Sequence, residues 1–150
     1  YYDYSTKNMK HIFSIFYKLL KKNDFQLVVI PSMRTPLNTI HYAKEFFGEN
    51  HTVIMNVDKK AYLSALALSE NIIVTCDSSS MISEAALTGK PIYIANILPK
   101  KNDIRFQRFR NLFRELNITR NLGEDMENWS YQSLDETNRV AKIINEKIKN

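Results

Sequence analysis

Short apolar runs alternate with longer amphipathic segments through the first two thirds of the sequence. Runs too short for helices stand at 27–30, 52–55, 72–75 and 92–95. Between them, patterns typical of helices cover 37–47, 61–69 and 81–88. This alternation predicts parallel strands joined by crossover helices. The expected fold class is therefore α/β, a three-layer Rossmann-like domain with a mainly parallel sheet of about four strands and helices on both faces.

The two ends of the sequence follow a different pattern. Apolar residues at helical spacing predict an amphipathic helix over 9–22 and two further helices over 104–116 and 134–148, with a loop at 117–133 between the latter two. The uninterrupted apolar run at 27–30 predicts a first strand that is buried on both faces and central in the sheet.

Composition excludes several classes of protein. The 150 residues contain three glycines, too few for a GxGxxG dinucleotide fingerprint or a Walker A loop. One cysteine and three scattered histidines exclude a disulfide framework and predict no Cys/His metal site. No apolar stretch approaches the roughly 20 residues of a membrane-spanning helix. We therefore expect a cytoplasmic protein that is, at most, peripheral to a membrane.

The length fits one domain, 1–150, and the sequence begins without an initiator methionine. We expect this domain to be the C-terminal half of a longer two-domain protein whose N-terminal domain is its partner in the same chain.

Two loops stand where ligands bind in open parallel sheets, beyond the carboxyl ends of strands. The first loop is Pro31-Ser32-Met33-Arg34-Thr35-Pro36 and the second is Cys76-Asp77-Ser78-Ser79-Ser80. In the second, hydroxyls and backbone N–H groups precede a helix, an arrangement that favours an anion such as phosphate. A simpler interpretation, compatible with the first, is that Asp77 or a serine caps the helix. Cys76 is better explained as a small buried side chain than as a nucleophile.

Two charged residues lie in or close to these loops. Glu84 lies four residues after Ser80, where it can be a solvated helix charge or a carboxylate that accepts hydrogen bonds from ribose hydroxyls. Arg34 lies between two prolines, and its guanidinium can bind diphosphate oxygens or pair with any nearby surface carboxylate. The residues alone leave both choices open.

Three separated segments together resemble one known family. Residues 74–85 with 88–93, the loop 31–36, and the segments 129–131 and 134–139 resemble motifs of the mitochondrial-fission "elongated mitochondria" family. That family is similar to GT-B glycosyltransferases, whose C-terminal Rossmann-like domain holds a nucleotide-sugar. The resemblance implies that the start of the helix after Ser80 faces the diphosphate and that Glu84 binds ribose.

The function expected from this resemblance is a nucleotide-diphosphate-sugar-binding domain of a glycosyltransferase-like protein, inactive without its other domain. The expected substrate is a nucleotide-sugar such as a uridine diphosphate sugar, with no further cofactor and no metal. The expected binding residues are Ser32, Arg34, Thr35, Asp77, Ser78, Ser79, Ser80, Met81 and Glu84. No catalytic residue is assigned.

A second function remains open, that of a non-catalytic interaction module with the same fold. Arginines at 105, 108, 110 and 114 beside Lys100 and Lys101 could dock to anionic headgroups, although such a run is more often the solvated face of a helix. The net charge of +5 permits nucleic-acid binding, but no recognised motif supports it and we expect none.

Overall fold

The computed structural model describes residues 2–97, 99–100, 102–123 and 125–133. The contacts within this part of the chain group it into two compact units. The N-terminal unit comprises Asp3–Leu68 with Gly123–Met126, and the C-terminal unit comprises Tyr2, Ser69–Leu122 and the described residues from Glu127 onward. Each unit is described by itself. None of the helices in the described ranges is long and apolar enough to cross a membrane.

The N-terminal unit contains three helices and a two-stranded parallel sheet in which Val28 pairs with Thr52 and Val29 with Val53. Its elements are α1 (Thr6–Asn23), β1 (Val28–Val29), α2 (Leu37–Phe47), β2 (Thr52–Val53) and α3 (Lys59–Leu68).

Aromatic packing between α1 and α2 forms the core of the N-terminal unit. The ring of Phe13, which is buried, lies 5.2 Å from that of Phe47 and 5.5 Å from that of Tyr42 between ring centroids. Met9, four residues before Phe13, is also buried, so the inner face of α1 follows the helical repeat. The helix ends at Asp24, a residue in the left-handed conformation whose N–H donates to the Leu20 carbonyl.

The C-terminal unit contains a three-stranded parallel sheet with strand order β3-β4-β5. Its elements are β3 (Ile72–Thr75), α4 (Ser79–Ala86), β4 (Ile92–Ala95), α5 (Ile104–Glu115) and β5 (Thr119–Asn121). Ile92 pairs with Ile72 on one side and with Thr119 on the other, so β4 is the central strand of this sheet. All four residues of β4 are buried.

Both helices of the C-terminal unit bury one face. In α4 the side chains of Ile82, Ala85 and Ala86 are fully buried. In α5 the buried set is Phe109, Leu112 and Phe113, at the spacing of an amphipathic helix. Gly89, with φ of +73°, occupies the left-handed region in the turn between α4 and β4, where a side chain would be strained.

These elements confirm the predicted α/β class with parallel strands alternating with helices. The bounds of α2, β3 and β4 agree with the sequence patterns at 37–47, 72–75 and 92–95. The other helices differ from their predicted bounds by one to three residues at an end. Strands β1 and β2 are only two residues long, against the four predicted for each.

Two predictions about strands were wrong. The first strand is neither buried on both faces nor central, since Val28 is 48% exposed and β1 pairs only with β2 among the described residues. The strand that is both buried and central in its sheet is β4. The predicted loop at 117–133 contains β5, which the sequence pattern missed because Thr119, Arg120 and Asn121 carry no apolar alternation. The predicted helix over 134–148 lies outside the described residues.

Candidate functional site

The loop from Cys76 to Ser80 leads from the carboxyl end of β3 into α4. Ser78 is buried and occupies the N-cap position, but its side chain makes no capping hydrogen bond. Its Oγ lies 3.5 Å from Thr75 Oγ1 and 3.5 Å from Asp77 Oδ1, and its N–H donates to the Thr75 carbonyl at 3.1 Å. Ser78 therefore has the predicted N-cap position but does not cap the first-turn N–H groups of α4 through its side chain.

Helix α4 presents two of the predicted site residues on one exposed face. Ser79, Ser80 and Met81 form its first turn, and Glu84 lies one turn further along. Ser80 and Glu84 are four residues apart and both are exposed, while Ile82 and Ala85 point into the core. The carboxylate of Glu84 therefore lies on the same side of the helix as a hydroxyl at its start.

The loop from Pro31 to Pro36 is a tight turn held by its own polar groups. Thr35 Oγ1 accepts a hydrogen bond from the Ser32 N–H at 2.9 Å and lies 3.2 Å from Ser32 Oγ. Ser32 Oγ in turn accepts the Arg34 N–H at 3.3 Å. The side chain of Arg34 is exposed and takes part in none of the ion pairs among the described residues. Helix α2 begins directly after this turn, with Pro36 at its N-cap.

The predicted site residues thus fall into two groups. Arg34, with Ser32 and Thr35, belongs to the N-terminal unit, and residues 77–81 with Glu84 belong to the C-terminal unit. The structure brings together the members of each group. That the two groups form one site stays a prediction.

A buried polar cluster in the C-terminal unit was missed by the sequence analysis. Asp103 and Arg110 form a salt bridge at 3.1 Å, with side chains only 5% and 15% exposed. The Tyr2 hydroxyl donates to the same Asp103 oxygen at 3.1 Å, and Gln107 Nε2 donates to the other at 2.7 Å. Arg110 also donates to the carbonyl of Cys76 at 2.9 Å, which ties α5 to the loop before α4.

The environment of this cluster shifts the pKa values of its members. Burial raises the pKa of Asp103, but hydrogen bonds from Arg110, Tyr2 and Gln107 outweigh it, and the pKa lies below its usual value. Burial raises the pKa of Tyr2 to about 12, against the opposing effect of Arg110. Burial also raises the pKa of Cys76, whose Sγ accepts the Ile97 N–H at 3.2 Å. Cys76 is therefore a buried thiol rather than an activated nucleophile.

One signal in the sequence could have revealed this cluster. Asp103, Gln107 and Arg110 are spaced four and three residues apart, so they share one face at the start of α5. The prediction instead placed Arg110 in an exposed basic surface. That assignment was wrong, while Arg105, Arg108 and Arg114 are exposed as expected. No local sequence pattern indicates the role of Tyr2, because its side chain contacts residues more than 100 positions away.

The segment after β5 is anchored on the sheet by an aromatic pair. Trp129 contacts the Tyr93 ring edge-to-face at 5.1 Å, and its indole N–H donates to the Asn117 carbonyl at 2.9 Å. The Tyr93 hydroxyl donates to the Glu127 carbonyl at 2.7 Å, and the Arg120 guanidinium lies 4.2 Å from the centre of the Trp129 ring. Within the described ranges, no three His, Cys, Asp or Glu side chains are grouped to hold a metal ion.

The fold and these loops define an α/β protein of Rossmann-like type with a helix start at the carboxyl end of a parallel strand. The chain matches the model of the family described as Mitochondrial fission ELM1 over residues 1–148 and belongs to that family.

Two curated relatives are similar in sequence. The chain is 34% identical over 118 residues to the mitochondrial fission protein ELM1 of Arabidopsis thaliana, an alignment that covers 75% of this chain and 27% of that protein. It is 41% identical over 86 residues to an uncharacterized protein of Rickettsia prowazekii (strain Madrid E), covering 55% of this chain and 24% of the relative. The chain thus spans about a quarter of the length of these relatives. No solved structure matches it significantly.

Proposed function

We propose that this chain is a nucleotide-diphosphate-sugar-binding domain of a GT-B-like glycosyltransferase. The observation that carries the proposal is the start of α4. A parallel strand ends at Thr75, the next helix begins at Ser79, and the side chain of the N-cap residue Ser78 makes no capping hydrogen bond. The first-turn amides of a helix, together with the positive end of its dipole, suit a diphosphate.

The proposed ligand follows the exposed face of α4. The diphosphate contacts the loop from Asp77 to Ser80 and the first turn at Met81, and the ribose hydroxyls donate to the Glu84 carboxylate one turn further along. We propose separately that Arg34, in the loop that it shares with Ser32 and Thr35, binds diphosphate oxygens. Its exposed guanidinium, which has no acidic partner among the described residues, supports this role.

The transfer reaction itself belongs to the whole protein. In the proposal, this domain positions the donor and stabilises charge on the leaving diphosphate, while the acceptor site lies in an N-terminal domain of the same longer chain. The printed name of the Arabidopsis relative connects it with mitochondrial fission. We infer that the protein containing this chain takes part in a process of the same kind.

Thermal unfolding with and without uridine diphosphate tests the proposal. A ligand at 100 times its Kd stabilises the folded state by about 2.7 kcal/mol, so saturating nucleotide should raise the Tm of the 150-residue chain. Glu84→Ala should abolish most of this increase. Glu45→Ala, which removes an exposed glutamate from α2, is the matched control and should retain it. An unchanged Tm with millimolar nucleotide diphosphates would contradict the proposal.

A second candidate function is a non-catalytic module that docks to a membrane surface. Arg105 and Arg108 are exposed on α5, and the neighbouring Ile104 is 50% exposed, so the helix combines charge with apolar surface. Because Arg110 is largely buried in its salt bridge with Asp103, its charge does not contribute to this exposed surface. The exposed residues Arg114 and Lys100 complete the surface in the described part of the chain.

Sedimentation with liposomes distinguishes this candidate. Binding that increases with the fraction of anionic lipid, and that falls in the Arg105→Gln/Arg108→Gln double variant, would support docking. Binding that is insensitive to lipid charge would exclude this basic surface as the cause.

A further inference from the structure

A polar pocket opens between α5 and the carboxyl ends of β4 and β5. Its volume is about 180 Å³. Asn96, one residue past β4, and Asn121, the last residue of β5, line it from the sheet, and Arg110, Asn111 and Arg114 line it from α5. All of these residues belong to the C-terminal unit. The pocket therefore lies at the edge of a parallel sheet where ligands bind in this fold class.

The charge balance of the pocket favours an anion. No carboxylate is among its lining residues. The charge of Arg110 is already compensated by Asp103, but the Arg114 guanidinium donates at 2.9 Å to the neutral amide oxygen of Asn111. Arg114 takes part in none of the salt bridges of the described residues. The pocket thus carries one positive charge that no acidic side chain in the described ranges neutralises.

The neutral groups beside Arg114 are also suited to binding an anion. The carboxamides of Asn96 and Asn121 lie 3.3 Å apart, donor to acceptor, across the ends of the two strands. A carboxamide offers two N–H donors, and a guanidinium binds oxyanions through a planar fork of donors. The volume is below the roughly 300–1,000 Å³ of sites for drug-sized ligands, which favours a small group.

We propose that this pocket binds the phosphate group of a small soluble phosphomonoester. Arg114 supplies the charge, and the carboxamides of Asn96 and Asn121 donate to the remaining phosphate oxygens. This pocket shares no residue with the residues proposed above to bind a diphosphate, so either proposal can fail without the other.

Titration of the isotope-labelled 150-residue chain with inorganic phosphate, followed by NMR at constant ionic strength, tests the proposal. Saturable shifts of the side-chain amide signals of Asn96 and Asn121 are expected. Arg114→Gln should weaken binding by at least about tenfold. Arg108→Gln is the matched control, because it removes the same charge from an exposed position on α5 outside the pocket, and it should bind as the unaltered chain does.

Several outcomes would overturn the proposal. These are the absence of saturable shifts at tens of millimolar phosphate, equal weakening by Arg114→Gln and Arg108→Gln, or shifts that spare both asparagines. Asn96→Ala, an exposed position, provides a second variant that should also weaken binding. A parallel titration with glycerol phosphate should give the same shifts. Binding only to vesicles that contain phosphatidic acid, and to neither soluble phosphate, would assign the pocket to lipid headgroups instead.

Discussion

Asp103 connects three side chains at the start of α5. It accepts hydrogen bonds from Arg110, Tyr2 and Gln107, and its side chain is only 5% exposed. A buried charge that loses its partner is costly because water cannot replace the lost interaction. The pair is thus a structural feature whose removal should be measurable.

Replacing Asp103 by Ala should lower the free energy of unfolding by about 3 kcal/mol, because Arg110 would keep its charge in a largely buried place. Urea unfolding measures this change. The control is Asp125→Ala, which removes the acid of an exposed pair with Lys22 whose side chains are 70% and 63% exposed. That variant should differ from the parent chain by less than about 1 kcal/mol. Equal effects of the two substitutions would contradict the conclusion that Asp103 and Arg110 form a buried pair that stabilises the fold.

The same residue should make stability depend on pH. The pKa of Asp103 is lower in the folded chain than the value of about 3.9 expected when unfolded. Its contribution is therefore complete above about pH 5 and is lost as the pH falls through the folded pKa. Between about pH 6 and pH 2, the free energy of unfolding measured with urea should fall more steeply in the parent chain than in Asp103→Asn. Identical acid slopes would show that Asp103 contributes nothing.

At the scale of elements, the packing of α1 on α2 depends on one aromatic side chain. Phe13 is buried and lies within 6.0 Å of four other rings, those of Phe16, Tyr42, Phe46 and Phe47. Helix α1 is thus an integral part of the N-terminal unit.

Phe13→Ala should cost about 3–5 kcal/mol of unfolding free energy, the range for deleting a buried aromatic side chain. Tyr17→Ala, on the same helix at a position 49% exposed, is the control and should cost much less. Thermal unfolding followed by circular dichroism measures both. A Phe13→Ala variant as stable as Tyr17→Ala would mean that α1 does not pack as described.

Sequence patterns predicted some of the elements and missed others. Strand β4 and helix α2 were predicted with their observed bounds, because an apolar run and a 3.6-residue repeat each report a buried face directly. Strand β5 was missed because its pairing with β4, not its own polar residues, makes it a strand. Val28 was misjudged for the converse reason, since an apolar residue can remain half exposed.

The loops and the pocket show the same contrast. The loops at 31–36 and 76–80 could be located from the sequence because prolines, serines and helix starts have local signatures, and their role in binding stays a prediction. The role of Arg110 could not be read from charge alone, because whether an arginine is solvated or buried depends on the acid that it meets in the folded chain. The pocket beside α5 depends on residues from two strands and a helix, which only the fold assembles.

At the scale of the whole molecule, the proposed function requires a nucleotide diphosphate to bind at the start of α4. The measurement is an NMR titration of the labelled chain with uridine diphosphate.

Backbone amide signals of residues 78–81 should shift saturably with a single Kd. Glu84→Ala should weaken these shifts, while Glu45→Ala should leave them unchanged. The absence of saturable shifts at residues 78–81 would contradict the proposed function.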